Sequence, residues 1–239
     1  MMDEFEIILD KYLKKIEINI NKNQVNKFYN YMNLLIEGNK KVNLTAITEQ
    51  NDIILKHFVD SLTILKYINK GQKIVDVGTG AGFPGIPLAI MDDSINITLL
   101  DSLNKRIKFL DEVIKKIGLQ NVVAIHSRAE EFGQNKKYRE SFDIAFSRAV
   151  ANLSVLSEYL LPLVKVGGKV ICMKGQNIKE EINDAQLAIK KLGGNIVDVS
   201  EFCLPDSNMT RNIIIIEKIK NTDKKYPRKA GIPSKVPLR

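Results

Sequence analysis

A glycine-rich turn between an apolar run and a helical pattern constrains the fold of this 239-residue chain more than any other feature. The turn reads Asp-Val-Gly-Thr-Gly-Ala-Gly-Phe-Pro-Gly over residues 76–85, and the run that precedes it starts at residue 73. Gly78, Gly80 and Gly82 allow positive φ angles and a close approach of the backbone to a ligand. The first amides of the following helix point at that ligand as well. The pattern therefore predicts a nucleotide-like cofactor at the carboxyl edge of a parallel sheet.

The chain after Gly71 alternates between strand and helix patterns. The predicted strands are residues 73–77, 95–101, 122–125, 142–146, 169–173, 196–202 and 212–217. The last two are joined only by Leu204-Pro-Asp-Ser-Asn208, without a helix, which predicts a hairpin. The predicted fold class is α/β, a Rossmann-like and mostly parallel seven-stranded sheet with a terminal antiparallel hairpin.

A helical segment precedes the first strand. Apolar residues at helical intervals over residues 3–37 predict two amphipathic helices with a break around residues 19–22, and residues 53–68 predict a third helix. We therefore expect three regions. They are an N-terminal helical segment packed on the core (1–70), a Rossmann-like domain (71–217) and a basic C-terminal tail (218–239).

The residues around the glycines distinguish between two classes of cofactor. Dinucleotide-binding proteins use Gly-x-Gly-x-x-Gly after an apolar strand, whereas here the spacing is Gly-x-Gly-x-Gly and Asp76 stands two residues before Gly78. An acid at that point either hydrogen-bonds an amine-bearing ligand or braces the loop, and it is poorly placed beside a pyrophosphate. Asp101, 21 residues after Gly80, suits ribose hydroxyls in either class. Asp76 thus favours S-adenosylmethionine over NAD, and with it a methyltransferase of the Rossmann-like type. The alternative is a tight turn in which Asp76 only caps the helix.

Ligands of such sheets bind across the strand tips, so the other candidates follow the strands. Ala129 and Glu130 are expected beside an adenine ring, and Arg148 is expected over the mouth of the pocket. Lys174 is expected to contact a substrate phosphate or base edge. The alternatives are structural roles, in which Lys174 only caps a strand and Arg148 only pairs with an acid. The predicted cofactor residues are Gly78, Gly80, Phe83, Asp101, Ala129, Glu130 and Arg148.

His57 and Asp60 are three residues apart on a predicted helix and share a face. Such a pair can act as a general base, and the alternative is a histidine with a structural role. Cys172 and Cys203 lack ligand spacing, so neither a zinc site nor a disulfide framework is expected.

The net charge of +8 is concentrated at the C-terminus, where residues 218–239 hold eight basic residues and one acid. A basic segment of this kind indicates a polyphosphate partner such as nucleic acid. The competing possibilities are an anionic membrane and a solvated, disordered terminus. Prolines at intervals, with Tyr226 and Ile232 among them, instead favour an extended strap along the surface. The chain lacks an apolar run of membrane-span length and a signal-peptide pattern, which predicts a cytoplasmic protein.

Several stretches together identify a family. The most specific are Phe83-Pro-Gly-Ile-Pro87, which extends the glycine turn, and Lys225-Tyr-Pro-Arg-Lys-Ala-Gly-Ile-Pro233 in the tail. Further matches lie at residues 43–47, 57–62, 76–82, 100–106, 109–110, 128–130, 147–153 and 174–175. On these residues the chain resembles the RsmG family, also called the glucose-inhibited division protein B family, from its helical N-terminus nearly to its end.

The resemblance implies methyl transfer from S-adenosylmethionine to nitrogen 7 of a guanine in the 530 loop of bacterial 16S ribosomal RNA. It also carries over Gly78, Phe83, Ala129, Glu130 and Arg148 as cofactor residues. Because guanine N7 bears no proton at neutral pH, no catalytic base is expected. The expected partner is 16S rRNA or the small subunit, bound by a monomer without a metal ion. The candidate RNA-contacting residues are Lys174, Arg211, Lys225 and Arg228.

Two other functions are compatible with the glycine turn. One is a methyltransferase of the same fold that acts on a small molecule or a protein, for which the basic tail would have no obvious use. The other is an RNA-associated assembly factor that holds S-adenosylmethionine without turnover. An eroded pocket would favour that factor, whereas Gly78, Asp101 and Arg148 are all present.

Overall fold

One sheet of seven strands organises the molecule in the computed structural model, which describes residues 2–148 and 151–238. In chain order the strands are β1 (Lys73–Val77), β2 (Asn96–Asp101), β3 (Val122–His126), β4 (Phe142–Arg148), β5 (Val164–Lys174), β6 (Gly194–Cys203) and β7 (Thr210–Lys218). Their order across the sheet is β3-β2-β1-β4-β5-β7-β6, with β3 to β5 parallel and β7 antiparallel to both its neighbours. The predicted fold class and its terminal hairpin are confirmed.

Helices precede the sheet and connect its strands. The α-helices of the described residues are α1 (Met2–Lys15), α2 (Lys22–Asn39), α3 (Gln50–Ile53), α4 (Asp60–Leu62), α5 (Gly85–Met91), α6 (Asn104–Ile117), α7 (Ala129–Gln134), α8 (Leu153–Leu160), α9 (Lys179–Leu192) and α10 (Ile232–Lys235). The break predicted between the first two helices is present, and the Asn21 side chain caps α2 in a capping box with Gln24. Over residues 2–148 and 151–238, every helix is too short or too polar to span a lipid bilayer.

Both faces of the sheet are buried. Ile74 and Leu99 belong to an apolar core that includes side chains of α1, α2, α5 and α6, whereas Val75 and Leu100 belong to a second core with α8 and α9. Burial on both faces explains why the parallel strands are continuous apolar runs in the sequence. The strand order reverses beside β1, which lies between β2 and β4, and such a reversal opens a crevice at the carboxyl ends of the strands.

The third predicted helix is not regular. Between α3 and α4 the chain forms a π-helix over Ile54–Val59, and a 3₁₀ turn over Leu65–Tyr67 ends the segment. The π-helix has a wider turn than an α-helix and often occurs at functional sites. Apolar periodicity predicted the helical segment, but it does not distinguish between the two hydrogen-bonding patterns.

The basic tail is ordered against the sheet. Tyr226 and Leu238 are buried in the same apolar core as α8, and the Gln134 side chain donates hydrogen bonds to the carbonyl oxygens of Lys224 and Pro227. The strap predicted from the prolines is therefore confirmed, although the short helix α10 within it was not predicted. The domain boundaries at residues 70 and 217 stay predictions.

Candidate active site

A cavity of about 240 Å³ opens at the carboxyl ends of β1, β2 and β3. It brings together the predicted cofactor residues Gly78, Asp101, Ala129 and Glu130. Its other walls come from neighbouring loops and from the helix α8 and the tail. Those residues are Val77, Leu100, Ser102, Ser127, Arg128, Tyr159, Gly231 and Ser234.

The glycine turn forms the floor of this region. The amides of Gly78 and Thr79 donate to the carbonyl oxygen of Leu100 at 2.8 and 3.1 Å, which ties the tip of β1 to the tip of β2. Gly78 and Gly80 have φ angles of 72° and 62°, which residues other than glycine rarely adopt. No atom lies within 4 Å of the position that a Cβ of Gly80 would occupy. The backbone is therefore open to a ligand on that side.

Asp76 braces the turn from below. Its Oδ2 accepts hydrogen bonds from the Thr79 hydroxyl at 2.7 Å and the Gly85 amide at 3.0 Å. Its Oδ1 is buried without a hydrogen-bond partner among the described residues. Burial, which outweighs those two hydrogen bonds and the attraction of Arg148, raises the pKa of Asp76 to about 7. The loop-bracing role is thus present, while the second carboxylate oxygen is buried and has no partner among the described residues.

Asp101 holds the second strand tip and still lines the cavity. Its Oδ2 accepts from the Gly80 amide at 2.9 Å and from Arg106 at 3.2 Å, and its Oδ1 accepts from the Leu103 amide at 2.9 Å. Oδ1 therefore has capacity for a further donor such as a ribose hydroxyl. Arg106 was not predicted, because its contact depends on how α6 starts after the strand.

The third wall combines α7, α8 and the tail. Glu130 is buried, and its Oε1 accepts a hydrogen bond from the amide of Gly231 at 2.8 Å. The hydroxyl of Tyr159 lies 2.9 Å from that of Ser234. Sequence reasoning missed Tyr159, Gly231 and Ser234, which are far from the glycine turn along the chain. Glu130 had been predicted from its place after the third strand, and the matched stretch at residues 225–233 was the only signal for the part of this wall that the tail forms.

Arg148 is the centre of a second cluster on the N-terminal helical side. It donates to Asp60 Oδ2 at 3.0 Å, to the carbonyl of Lys56 at 3.2 Å and to His57 Nδ1 at 3.2 Å. Asp60 Oδ1 accepts from Arg211 at 3.0 Å, so that both carboxylate oxygens have a guanidinium partner. Ala149 and Val150, which follow Arg148 in the matched stretch, lie outside the described residues.

The contacts of His57 define its protonation state. Because a guanidinium can only donate, Nδ1 of His57 accepts from Arg148 and the ring proton is on Nε2. Nε2 then donates to the Thr45 hydroxyl at 2.8 Å. Burial first, and the charge of Arg148 second, lower the pKa of His57 to about 3. His57 is therefore a neutral hydrogen-bonding residue at physiological pH.

Phe83 connects the glycine turn to this cluster. Its ring is buried and stacks on His57 with centroids 4.4 Å apart, and the Arg148 guanidinium lies 5.1 Å from its centroid. Six of the seven predicted cofactor residues thus divide between two places, and the seventh, Gly80, donates its amide to Asp101. Gly78, Asp101, Ala129 and Glu130 line the cavity. Phe83 and Arg148 lie in the His57 cluster.

All four candidate RNA-contacting residues have acidic partners within the protein, and in three of the pairs the acid is largely buried. Lys174 donates to Glu181 at 2.6 Å, and Arg211 pairs with Asp60. Arg228 forms a bidentate ion pair with Glu158, with nitrogen to oxygen distances of 2.7–3.2 Å. Lys225 is exposed on the tail, where it pairs with the exposed Asp223 at 3.3 Å and lies over the ring of Tyr226. Its prediction as a phosphate contact has the clearest geometric basis.

The site suits S-adenosylmethionine. The cavity of about 240 Å³ lies beside Asp101 and Glu130, and the buried carboxylate of Asp76 lies at the base of the same glycine turn. In residues 2–148 and 151–238 no group of three or more acidic, histidine or cysteine side chains could hold a metal ion. This fold and this site define a class I methyltransferase that depends on S-adenosylmethionine.

Comparison with known proteins identifies the family. The family model described as GidB, rRNA small subunit methyltransferase G, matches residues 24–212. The chain belongs to this family and is a small-subunit rRNA methyltransferase.

Relatives that match over their full length have the same name as the family model. Ribosomal RNA small subunit methyltransferase G from Desulforamulus reducens is 51% identical over 239 residues, which cover 99% of this chain and all of the relative. The protein of the same name from Clostridium botulinum strain Alaska E43 is 52% identical over 238 residues, with the same coverage.

Solved structures of lower identity share the fold. A SAM-dependent methyltransferase from Aquifex aeolicus is 18% identical with a TM-score of 0.54, over 76% of this chain and 98% of that chain. M. jannaschii TYW2 in complex with AdoMet is 16% identical with a TM-score of 0.53, over 67% of this chain and 75% of that chain.

Proposed function

We propose that this methyltransferase modifies nitrogen 7 of a guanine in the 530 loop of 16S rRNA by in-line transfer, without an obligatory general base. The observation that supports the absence of a general base is the protonation and hydrogen bonding of His57. Its Nδ1 accepts from Arg148, its Nε2 donates to Thr45, and its pKa is lowered to about 3. Asp60 has a guanidinium partner on each oxygen. Both side chains are therefore engaged in hydrogen bonds within the protein.

The chemistry of the target agrees with this state. Guanine N7 has an in-plane lone pair and no proton at neutral pH, so nothing is removed before it attacks a methyl group. Rate enhancement then depends on how the protein positions the base and excludes water. We assign Arg148, His57 and Asp60 to hold the wall of the site on which the base is oriented.

Bound S-adenosylmethionine supplies the electrophilic methyl group. We assign its adenosine part to Gly78, Asp101, Ala129 and Glu130, which line the cavity. Asp76 Oδ1 is assigned to the ammonium group. Gly80, Phe83 and Arg148 are assigned to the methionyl end, because Gly80 contacts Asp101 of the cavity and the other two form the adjacent His57 cluster.

Methyl transfer to defined RNA substrates tests the proposal. Labelled S-adenosylmethionine is incubated with unmodified small subunits and with protein-free 16S rRNA, and the modified base is mapped. We expect label at a single guanine N7 in the 530 loop. Label at another base would refute the proposed target. Cofactor binding without label in RNA would favour a binding protein or an enzyme for a small molecule or protein.

We also expect a cytoplasmic monomer. Sedimentation of the purified protein tests the expected oligomeric state.

A variant of His57 tests the absence of a general base. In His57→Gln, the amide oxygen can accept from Arg148 and the amide nitrogen can donate to Thr45. We expect kcat at saturating S-adenosylmethionine to fall by less than about tenfold and to keep the wild-type pH profile, because loss of a general base costs about 10²–10⁴-fold. Single-turnover rates between about pH 6 and 8 provide the measurement. A decrease in rate of more than about tenfold, together with the loss of one limb of the pH–rate profile, would contradict the proposal.

Lys225 tests the RNA role of the tail. If its ammonium neutralises one phosphate, Lys225→Ala reduces the slope of log affinity against log salt by about 0.7–0.9. Lys14→Ala is the matched control, since Lys14 is exposed on α1 and pairs with Asp10 much as Lys225 pairs with Asp223. The control should leave the slope unchanged. Equal slopes for the two variants would mean that Lys225 does not contact phosphate.

A further inference from the structure

The tail reaches the cofactor cavity and forms part of it. Gly231 and Ser234 line the cavity together with Asp101 and Glu130 of the sheet domain. We propose that residues 231–234 are a cofactor-binding element, which forms the outer wall of the S-adenosylmethionine pocket. The inference rests on the proposed binding of that cofactor in this cavity.

Buried contacts hold the tail in this position. Arg228 forms its bidentate pair with Glu158, which is fully buried on α8, and the Arg228 amide donates to the same carboxylate at 2.8 Å. Arg139 donates to the carbonyl oxygens of Thr222 and Tyr226 at 2.7 and 2.6 Å. The segment before the wall is therefore fixed to the domain on both sides of Tyr226.

The wall itself contacts one predicted cofactor residue, Glu130, and one residue of α8 that lines the cavity, Tyr159. The Gly231 amide donates to Glu130 at 2.8 Å, and the Ser234 hydroxyl lies 2.9 Å from that of Tyr159. Gly231 has a φ of 80°, and no atom lies within 4 Å of the position that its Cβ would occupy. A tail that undocks would remove two lining residues and leave the Glu130 carboxylate without its backbone donor. Tight cofactor binding thus requires the docked tail.

A pair of adjacent substitutions tests the wall. Ser234 lines the cavity, whereas Lys235 is its exposed neighbour on α10 and does not. We measure binding of S-adenosylmethionine to the full chain by calorimetry. Ser234→Trp fills the cavity and is expected to weaken binding by at least about tenfold, and Lys235→Trp to stay within about twofold of wild type. Wild-type affinity in Ser234→Trp would overturn the inference.

Two further measurements separate the possible failures. Because Ser234 is exposed, Ser234→Trp should keep the wild-type thermal unfolding curve, so that lost binding is not lost folding. Hydrogen exchange on the unmodified chain gives an independent result. Added S-adenosylmethionine should slow exchange of the Gly231 amide, and unchanged exchange under saturating cofactor would also overturn the inference. A wild-type chain that does not bind S-adenosylmethionine would refute the proposed function itself.

Discussion

Replacement of Arg228 by alanine is expected to lower the free energy of unfolding by about 3–5 kcal/mol. Glu158, its partner, is fully buried on α8 and accepts from Nε and Nη2 of Arg228. Removal of the guanidinium leaves a buried carboxylate without a compensating charge, and such a carboxylate costs far more than an exposed ion pair is worth. Urea denaturation followed by circular dichroism measures the loss.

Two variants make this result specific. Lys225→Ala removes a charge from the same tail, but its side chain is 65% exposed, and we expect a change within about 0.5 kcal/mol. Glu158→Gln combined with Arg228→Ala removes the unpaired charge and should recover part of the stability. If Arg228→Ala costs no more than Lys225→Ala, the ion pair does not anchor the tail.

The interior role of Arg228 changes how the charge of the tail is interpreted. Arg228 is half-buried on its buried partner, and Lys218, another of the eight basic residues of this segment, is fully buried and pairs with Glu140 at 3.1 Å. Burial lowers the pKa of Lys218 to about 8. The distribution of charge along a sequence does not show which basic side chains form ion pairs with acidic residues of distant segments. RNA contact by Arg228 stays a prediction, because an RNA phosphate would have to compete with Glu158 for the guanidinium group.

The fold could be predicted because each strand and helix has a local pattern. The first strand was predicted at its observed bounds, Lys73–Val77, and the others differ mainly at their ends. The short helices α7 and α10 were missed, because six and four residues are too few for a period to be recognised. The π-helix over Ile54–Val59 was missed because its residues also satisfy an α-helical pattern.

The candidate site was predictable only where it follows the strand tips. Gly78 and Asp101 come directly from the glycine turn and from the end of the second strand, and the structure places them in one cavity. The contacts from Arg148 to Asp60 and from Arg228 to Glu158 join residues 88 and 70 positions apart. Nothing in a single sequence specifies such pairs. They depend on how the N-terminal helices and the tail pack on the sheet.

The second large effect is expected for Asp76→Asn, which should stabilise the free protein and weaken cofactor binding. The asparagine oxygen can still accept from Thr79 and Gly85, while the buried charge is removed. Because one pKa unit corresponds to about 1.4 kcal/mol, a gain of about 1–3 kcal/mol is expected near pH 8. Because we propose that this carboxylate binds the ammonium group of S-adenosylmethionine, its loss should raise the Kd for the cofactor by at least about tenfold.

The pH dependence distinguishes this role from that of a simple brace. Burial raises the pKa of Asp76 from 3.8 to about 7, so the folded state binds more protons than the unfolded state between these values. The contribution of Asp76 to wild-type stability therefore rises as the pH falls from about 7 to about 4, and the advantage of Asp76→Asn should shrink over this range and disappear only below about pH 4. Wild-type cofactor affinity should fall below pH 7, where the ammonium group competes with a proton on Asp76, and the affinity of the variant should not. If Asp76→Asn binds S-adenosylmethionine as tightly as wild type across this range, Asp76 only braces the glycine turn, and the ammonium group is held elsewhere.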